Sequence, residues 1–527
     1  MPTYTGTNDA ETLTGSNAAD VIDGMRGNDN LFGLDGTDDF TYRPGRSFYI
    51  SRDSDGADVI DGGLGVDRFT VLATENEAFS GSSGSTYDFQ RLSLGAGASG
   101  EALFTASQYL NFLGSGSTTV TNVVTLRSVE TASFTFTDLP PSPANFPTGR
   151  FGTFYSTVDR ISIGDLSTTG LTGLLDFYLG HGDDLFDARA AINVIFAQGA
   201  AGNDELRGGT ANDHLDGGAD NDLLVGGAGA NTILGGSGVD TLDYSAAIGG
   251  VNVDLNEGRA LNNGYGALDI ISGVENLTGS AYNDVLVGQA GANIIFGGAG
   301  ADYLIGLGGN DRLVGGAGMA NTLQGGQGDD DYEVAAVGDT LVEFAGEGLD
   351  RVFTALSTFT LRDNFEELYY SGSASFTGAG NAGANHIAGG TGNDVLSGAG
   401  GNDTLVGGAG VDAADYSAAA TGVFARLDFG VASNDGDGGS DTLSEIENLI
   451  GSAFDDLLFG DESGNLLQGG QGRDTILGLG GDDVIMGGSG TANELYGGAG
   501  DDYYVVEAGD TVVEAENDGI DTVESRL

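Results

Sequence analysis

A nine-residue period runs through residues 202–244, GNDELRGGTANDHLDGGADNDLLVGGAGANTILGGSGVDTLDY. Asp204, Asp213, Asp222, Asn231 and Asp240 share one phase, and Leu206, Leu215, Leu224, Ile233 and Leu242 follow each of them by two. Paired glycines (Gly208 and Gly209, Gly217 and Gly218, Gly226 and Gly227, Gly235 and Gly236) open the units, so the consensus is G-G-x-G-x-D-x-U-x with U apolar. Clustered glycine lets the backbone take positive φ and brings its carbonyls close together, and the three residues after the aspartate suit a short strand but not a helix. Each unit is therefore a turn plus a stub of strand. Units of this kind stack as rungs about 4.8 Å apart, each with one apolar side chain pointing inward.

One inward Leu or Ile per nine residues is a thin core. Its burial contributes roughly 2–3 kcal/mol, while fixing each backbone costs roughly 1–2 kcal/mol. Stacking also brings aspartates of neighbouring rungs together, and carboxylates about 4 Å apart repel by roughly 1 kcal/mol in water and more where partly buried. The chain without a cation is expected to be unfolded. A hard divalent ion that takes carboxylates and backbone carbonyls reverses both problems, because its binding free energy becomes folding free energy. Calcium suits flexible, oxygen-only glycine loops better than magnesium, which demands tighter octahedral geometry.

The nonapeptide resembles the calcium-binding repeat of the RTX (nonapeptide-repeat) proteins of the type 1 secreted family. The resemblance implies an all-β chain: a right-handed parallel β-roll or β-solenoid, two nonapeptides per turn, with calcium ions between the loops. It also implies that the aspartate at position six supplies the side-chain ligand and the glycines supply carbonyls. Carried onto this sequence, the ligands are Asp184, Asp204, Asp213, Asp222, Asp240, Asp284, Asp302, Asp311, Asp394, Asp403, Asp412, Asp456, Asp474 and Asp483, preceded by Asp20, Asp29, Asp38, Asp58 and Asp67 in degenerate repeats. Asn231, Asn293, Asn385 and Asn465 fall in the same phase, where an amide oxygen either ligates the ion or serves only its own turn.

The phase divides the chain. Degenerate repeats occupy 1–69, and 70–180 is an irregular β-rich insertion or small β domain in which Val129 to Phe136 alternate like a half-buried strand and PPSPANFP is a loop. Repeat blocks at 181–243, 279–330, 380–415 and 451–502 alternate with spacers at 244–278, 331–379 and 416–450, and with a truncated spacer at 503–527. In the first of these spacers Val251, Val253 and Leu255 alternate like a strand. A duplication with a 172-residue offset relates Tyr244 to Tyr416 and Glu275 to Glu447, which suits an extended array better than a single active site. The last spacer stops partway through the unit at Leu527, so the chain is expected to be a piece of a longer protein.

With 18 basic and 78 acidic side chains the net charge is −60, and every basic residue is arginine. Nucleic acid is excluded as a partner and an anionic membrane disfavoured, since both need positive charge. No apolar run approaches a membrane span, and the N-terminus lacks the pattern of a cleaved signal peptide. Cysteine is absent, so no disulfide framework exists. His181, His214 and His386 are expected to be solvated loop residues, and neither an H-E-x-x-H nor a G-x-S-x-G motif is present. The function expected is that of a secreted calcium-binding repeat protein, exported by a type 1 route to the extracellular space or cell surface. Its role there is structural, adhesive or surface-matrix, with cell-surface polysaccharide or further copies of itself as partners. The alternative is a carbohydrate-active enzyme carrying such repeats, such as an alginate epimerase, but 70–180 is short for a catalytic β-helix. Cytolysin relatives carry acylated lysine and apolar membrane-active segments, and protease or lipase relatives carry a catalytic domain before the roll; this chain shows neither pattern.

Overall fold

The nine-residue period becomes an eighteen-residue one when the chain coils. Glu205–Arg207 pairs in parallel with Leu223–Val225, and that strand with Thr241–Asp243. The intervening units do the same on a second sheet, where Ile195–Ala201, His214–Ala219 and Thr232–Ser237 run in parallel register. Each turn thus places one strand in each of two sheets. The structure, a computed structural model, describes residues 182–526 apart from 193, 317, 491 and 517. Upstream it describes the backbone of the strands from Thr3 to His181 and the side chains of Phe177 and Leu179. The side chains of Asp20, Asp29, Asp38, Asp58 and Asp67, and the PPSPANFP loop, lie outside the described residues. Strand backbone within 70–180 includes an antiparallel meander of Asp88–Ala96, Ala102–Leu110 and Thr118–Arg127, followed by Thr131–Thr137.

The chain forms two compact units, Met1–Gly288 and Gln289–Leu527. In the first, parallel register stacks like on like: Phe186 on Leu206, Leu224, Leu242 and Leu277 in one sheet, and Ala197 on Leu215, Ile233 and Ile271 in the other. All but Ile271 of these are fully buried, and Ile271 is nearly so. The period-two alternation of each strand puts its middle residue inside and its neighbours part-exposed.

The second unit repeats the arrangement through Leu313, Tyr332, Val352, Leu368, Ile387 and Leu405 on one sheet and Leu396, Ala414, Leu449, Leu467, Ile485 and Tyr504 on another. Strands continue across 331–379, at Thr340–Val342, Arg351–Thr354, Thr358–Thr360 and Glu367–Tyr370.

The two matching spacers fold as hairpin excursions. Val251–Asp254 pairs antiparallel with Arg259–Asn263, which returns to Asp269–Ser272; Phe424–Arg426, Val431–Asn434 and Asp441–Ser444 repeat this pattern. Val251 and Val253 are buried as their alternation predicts. His214 and His386 are strand residues, not loop residues: the first stacks on Phe196 at 4.4 Å and the second tilts against Tyr369 at 5.5 Å. The reason is that each follows its Asp or Asn by one, which is the first strand position. No helix among the described residues is long and apolar enough to cross a membrane.

Candidate metal centre

Each aspartate of the ladder divides its two oxygens between two tasks. Oδ1 accepts the backbone N–H of the residue one turn earlier: Asp222 from Asp204, Asp240 from Asp222, Asp412 from Asp394 and Asp474 from Asp456, at 2.7–2.9 Å. The same bond recurs with an amide acceptor, as Asn231 accepts from Asp213 at 2.9 Å. These bonds satisfy N–H groups that the tight turn buries. They also fix the carboxylate's direction.

Oδ2 is a different matter. In Asp204, Asp222, Asp240, Asp311, Asp394, Asp403, Asp412, Asp474 and Asp483 it is buried with no hydrogen-bond partner. These side chains are 0–3% exposed, so bulk solvent does not reach them. The orphaned oxygen sits over the first glycine of its own unit. A Cβ at Gly469 would collide with Asp474 Oδ2 and stand 2.7 Å from Gly487 O; at Gly217, Gly398 and Gly478 it would collide with Oδ2 of Asp222, Asp403 and Asp483. The glycine therefore leaves a cradle in which a carboxylate oxygen and a carbonyl of the next turn converge. Asp184 and Asp302 are equally buried on the same phase.

Asp213, Asp284 and Asp456 are satisfied within the chain. Asp213 Oδ2 accepts from Gly209 N–H at 2.7 Å, and Ser280 and Ser452 each give both N–H and Oγ–H to Asp284 and Asp456. The asparagine rungs likewise make internal bonds: Asn385 Nδ2 donates to Phe365 O at 2.9 Å and Asn465 Nδ2 to Glu447 O at 2.8 Å.

Without a cation, burial holds these carboxyls far above the ordinary 3.8: to about 7 at Asp204, Asp222, Asp311, Asp403, Asp474 and Asp483, and to about 6 at Asp213. Backbone hydrogen bonds oppose the shift, and the neighbouring aspartates 204 and 240 add to it at Asp222. Desolvation leads throughout.

Among the described residues, three clusters add residues from outside the nine-residue count. The ligand oxygens of Asp330, Glu343 and Asp350 lie within 4.8 Å of one another, as do those of Asp502, Glu514 and Asp521 and those of Asp403, Asp435 and Asp441. Burial and the Asp350 charge push Glu343 up to about 8. Tyr332 donates its hydroxyl to Glu343 and Tyr504 to Glu514, so the first two clusters are built alike. Asp330 and Asp502 do complete G-G-x-G-x-D, in GGQGDD and GGAGDD, but each stands 19 residues after its predecessor, and a fixed count of nine passes over them. Glu343, Asp350, Asp435 and Asp441 carry no repeat signal.

A second, exposed ladder also lies outside the sequence reading. Where the residue before the aspartate is Asn or Asp, as at 203, 221 and 455, its side-chain oxygen accepts the N–H of its counterpart one turn later: Asn203 from Asn221, Asn221 from Val239, Asp455 from Arg473. It ties turn to turn on the outside as Oδ1 does inside.

An oxygen-only donor set of orphaned carboxylate oxygens and converging carbonyls over a glycine cradle fits a hard divalent cation. The family profile of the RTX calcium-binding nonapeptide repeat matches residues 5–40, 52–71, 198–233, 216–246, 271–304, 290–319, 305–341, 379–413, 459–491 and 492–513, about half of the chain in all. No curated protein matches the chain.

Proposed function

The chain belongs to the RTX calcium-binding nonapeptide-repeat family, and from that membership we propose that it is a secreted protein whose folding is driven by extracellular calcium. In this reading it is exported unfolded by a type 1 route and serves a structural, adhesive or surface-matrix role. The observation that carries it is the row of buried Oδ2 atoms left unpartnered on successive turns. A buried carboxylate with one unmet oxygen costs several kcal/mol or takes up a proton. A calcium ion supplies the missing positive charge.

We assign the ligand role to the Oδ2 atoms of Asp204, Asp222, Asp240, Asp311, Asp394, Asp403, Asp412, Asp474 and Asp483, with the carbonyls that converge on their glycine cradles, such as Gly217 O at Asp204, Gly325 O at Asp311, Glu445 O at Asp412 and Gly487 O at Asp474. The other aspartates of the repeat phase belong to the same proposal, those with both oxygens bonded contributing least. Oδ1 keeps the turn closed while Oδ2 is engaged. The core residue two positions on supplies packing too thin to hold the turns without that charge compensation.

Calcium sites of extracellular modules work at roughly 10⁻⁴ to 10⁻³ M, far above cytosolic calcium, so a chain of this kind stays unfolded before export and folds after it. Far-UV circular dichroism during a calcium titration, with magnesium as control, tests the reading. A coil-to-β transition with calcium alone is expected. Full β signal in chelator would overturn it.

A further inference from the structure

The two hairpin spacers align without a gap at the 172-residue offset, so their residues can be compared atom by atom. Each hangs on the same anchor. Tyr244 donates its hydroxyl to Asp269 Oδ2 at 2.9 Å, and Tyr416 to Asp441 Oδ2 at 3.1 Å. Asp269 Oδ1 accepts the N–H of Asn231, and Asp441 Oδ1 that of Asp403. Beyond this the copies part: Asn231 and Asn263 of the first are Asp403 and Asp435 of the second.

In the first copy the amide nitrogens fill the knot. Asn263 Nδ2 donates to Gly229 O at 2.7 Å and to Asp269 Oδ1 at 3.1 Å, and Asn231 Nδ2 faces Gly227 O and Gly229 O at 3.5 and 3.4 Å. In the second copy the corresponding atoms are oxygens with nothing to donate. Oδ2 of Asp403 and of Asp435 are unpartnered, and Asp403, Asp435 and Asp441 are 1%, 0% and 1% exposed. Asp435 Oδ1 already accepts three N–H groups, from Asp437, Gly438 and Gly439 at 2.8–2.9 Å, which fixes the carboxylate and aims its other oxygen into the knot. A Cβ at Gly439 would collide with Gly401 O, the counterpart of Gly229 O, and stand 2.8 Å from Asp435 Oδ2. The first copy has Ala267 at that position.

Three buried carboxylates whose ligand oxygens lie within 4.8 Å of one another need a positive charge between them. We propose that Asp403, Asp435 and Asp441, with Gly401 O, form a discrete calcium site that pins the second spacer hairpin to the coil. The matching place in the first copy is closed to metal because the amides of Asn231 and Asn263 stand where the ion would be. The donor set is oxygen throughout, which selects calcium over softer metals. The proposal rests on the calcium reading above. It adds that duplicated spacers are held by different means, one by metal and one by amide hydrogen bonds.

Native mass spectrometry of the full chain at saturating calcium counts the ions. Asp435→Asn is expected to bind one fewer than the wild type with an unchanged far-UV spectrum, since asparagine is the resident of the matching position. The reciprocal Asn231→Asp/Asn263→Asp/Ala267→Gly chain is expected to bind one more. Hydrogen exchange in calcium should speed up across 424–444 in Asp435→Asn while 251–272 stays as in the wild type. If the wild type binds no calcium, the family-based reading falls together with this one. If the wild type binds calcium and Asp435→Asn keeps the full count, only this assignment falls, and a shared proton holds the three carboxylates.

Discussion

At the scale of one residue, an aspartate in this chain does two jobs that an asparagine or alanine separates. Asp222 Oδ1 receives the N–H of Asp204, and Oδ2, buried without a partner, is the atom proposed to ligate the cation. Asp222→Asn keeps the first and weakens the second. It is expected to raise the calcium midpoint several-fold while leaving the calcium-saturated spectrum intact, whereas Asp222→Ala also orphans a buried N–H and loses a further roughly 1–3 kcal/mol of stability in denaturant titrations. Asp284→Asn, at a residue whose oxygens Ser280 already engages, should shift the midpoint less. The glycine opposite can be tested in the same way. Gly217→Ala drives a methyl into Asp222 Oδ2 and is expected to cost roughly 1–3 kcal/mol, while Gly291→Ala, with open space around it, should leave the calcium-bound melting temperature within a degree or two.

At the scale of the turn, stacking makes pH a readout of the metal site. In the metal-free fold Asp204, Asp222, Asp311, Asp474 and Asp483 titrate near 7, well above the ordinary 3.8, so the folded state binds more protons than the unfolded one between those values. Their contribution to the metal-free coil is fully present below about pH 4 and is lost as pH rises through about 7. Far-UV spectra in chelator should therefore gain β signal from pH 8 down to pH 5. Calcium reverses the sign, because it binds the deprotonated form. The calcium midpoint should rise as pH falls toward 5, where the protonated coil competes with the calcium-bound one, and calcium added to a weakly buffered sample near pH 5 should release protons, measurable with an indicator dye.

At the scale of the whole molecule, a net charge of −60 on 527 residues opposes compaction, yet diffuse screening does not remove the local problem. The Debye length at physiological ionic strength is about 8 Å, and a buried oxygen is reached by a ligand rather than by an ionic atmosphere. Sodium chloride at several hundred millimolar is thus expected to leave the chain expanded, near the roughly 86 Å radius of gyration of an unfolded chain of this length, and millimolar calcium to contract it severalfold in small-angle scattering. Contraction by sodium chloride alone would show that net repulsion, not the individual oxygens, keeps the chain open.

The repeat by itself determined the inward row of the stack, because a strict period places Leu206, Leu215, Leu224, Ile233 and Leu242 inward wherever the units stack, and those side chains are fully buried, while two repeats to a turn came only with the family resemblance. It also marked the aspartates of the repeat phase, since five residues of glycine-rich turn before each one recur with it. Tertiary structure alone decided which of those carboxylates have an oxygen to spare, as it is Gly209 and Ser280 and Ser452 across their turns that engage Asp213, Asp284 and Asp456 while leaving Asp222 and Asp474 unmet. It alone brought Glu343 to Asp330 and Asp350, and Asp435 and Asp441 to Asp403, across 13 to 38 residues that obey no period. The physical reason is that a period specifies what lies one turn away, whereas a hairpin excursion returns to the coil wherever its own strand pairing lets it close.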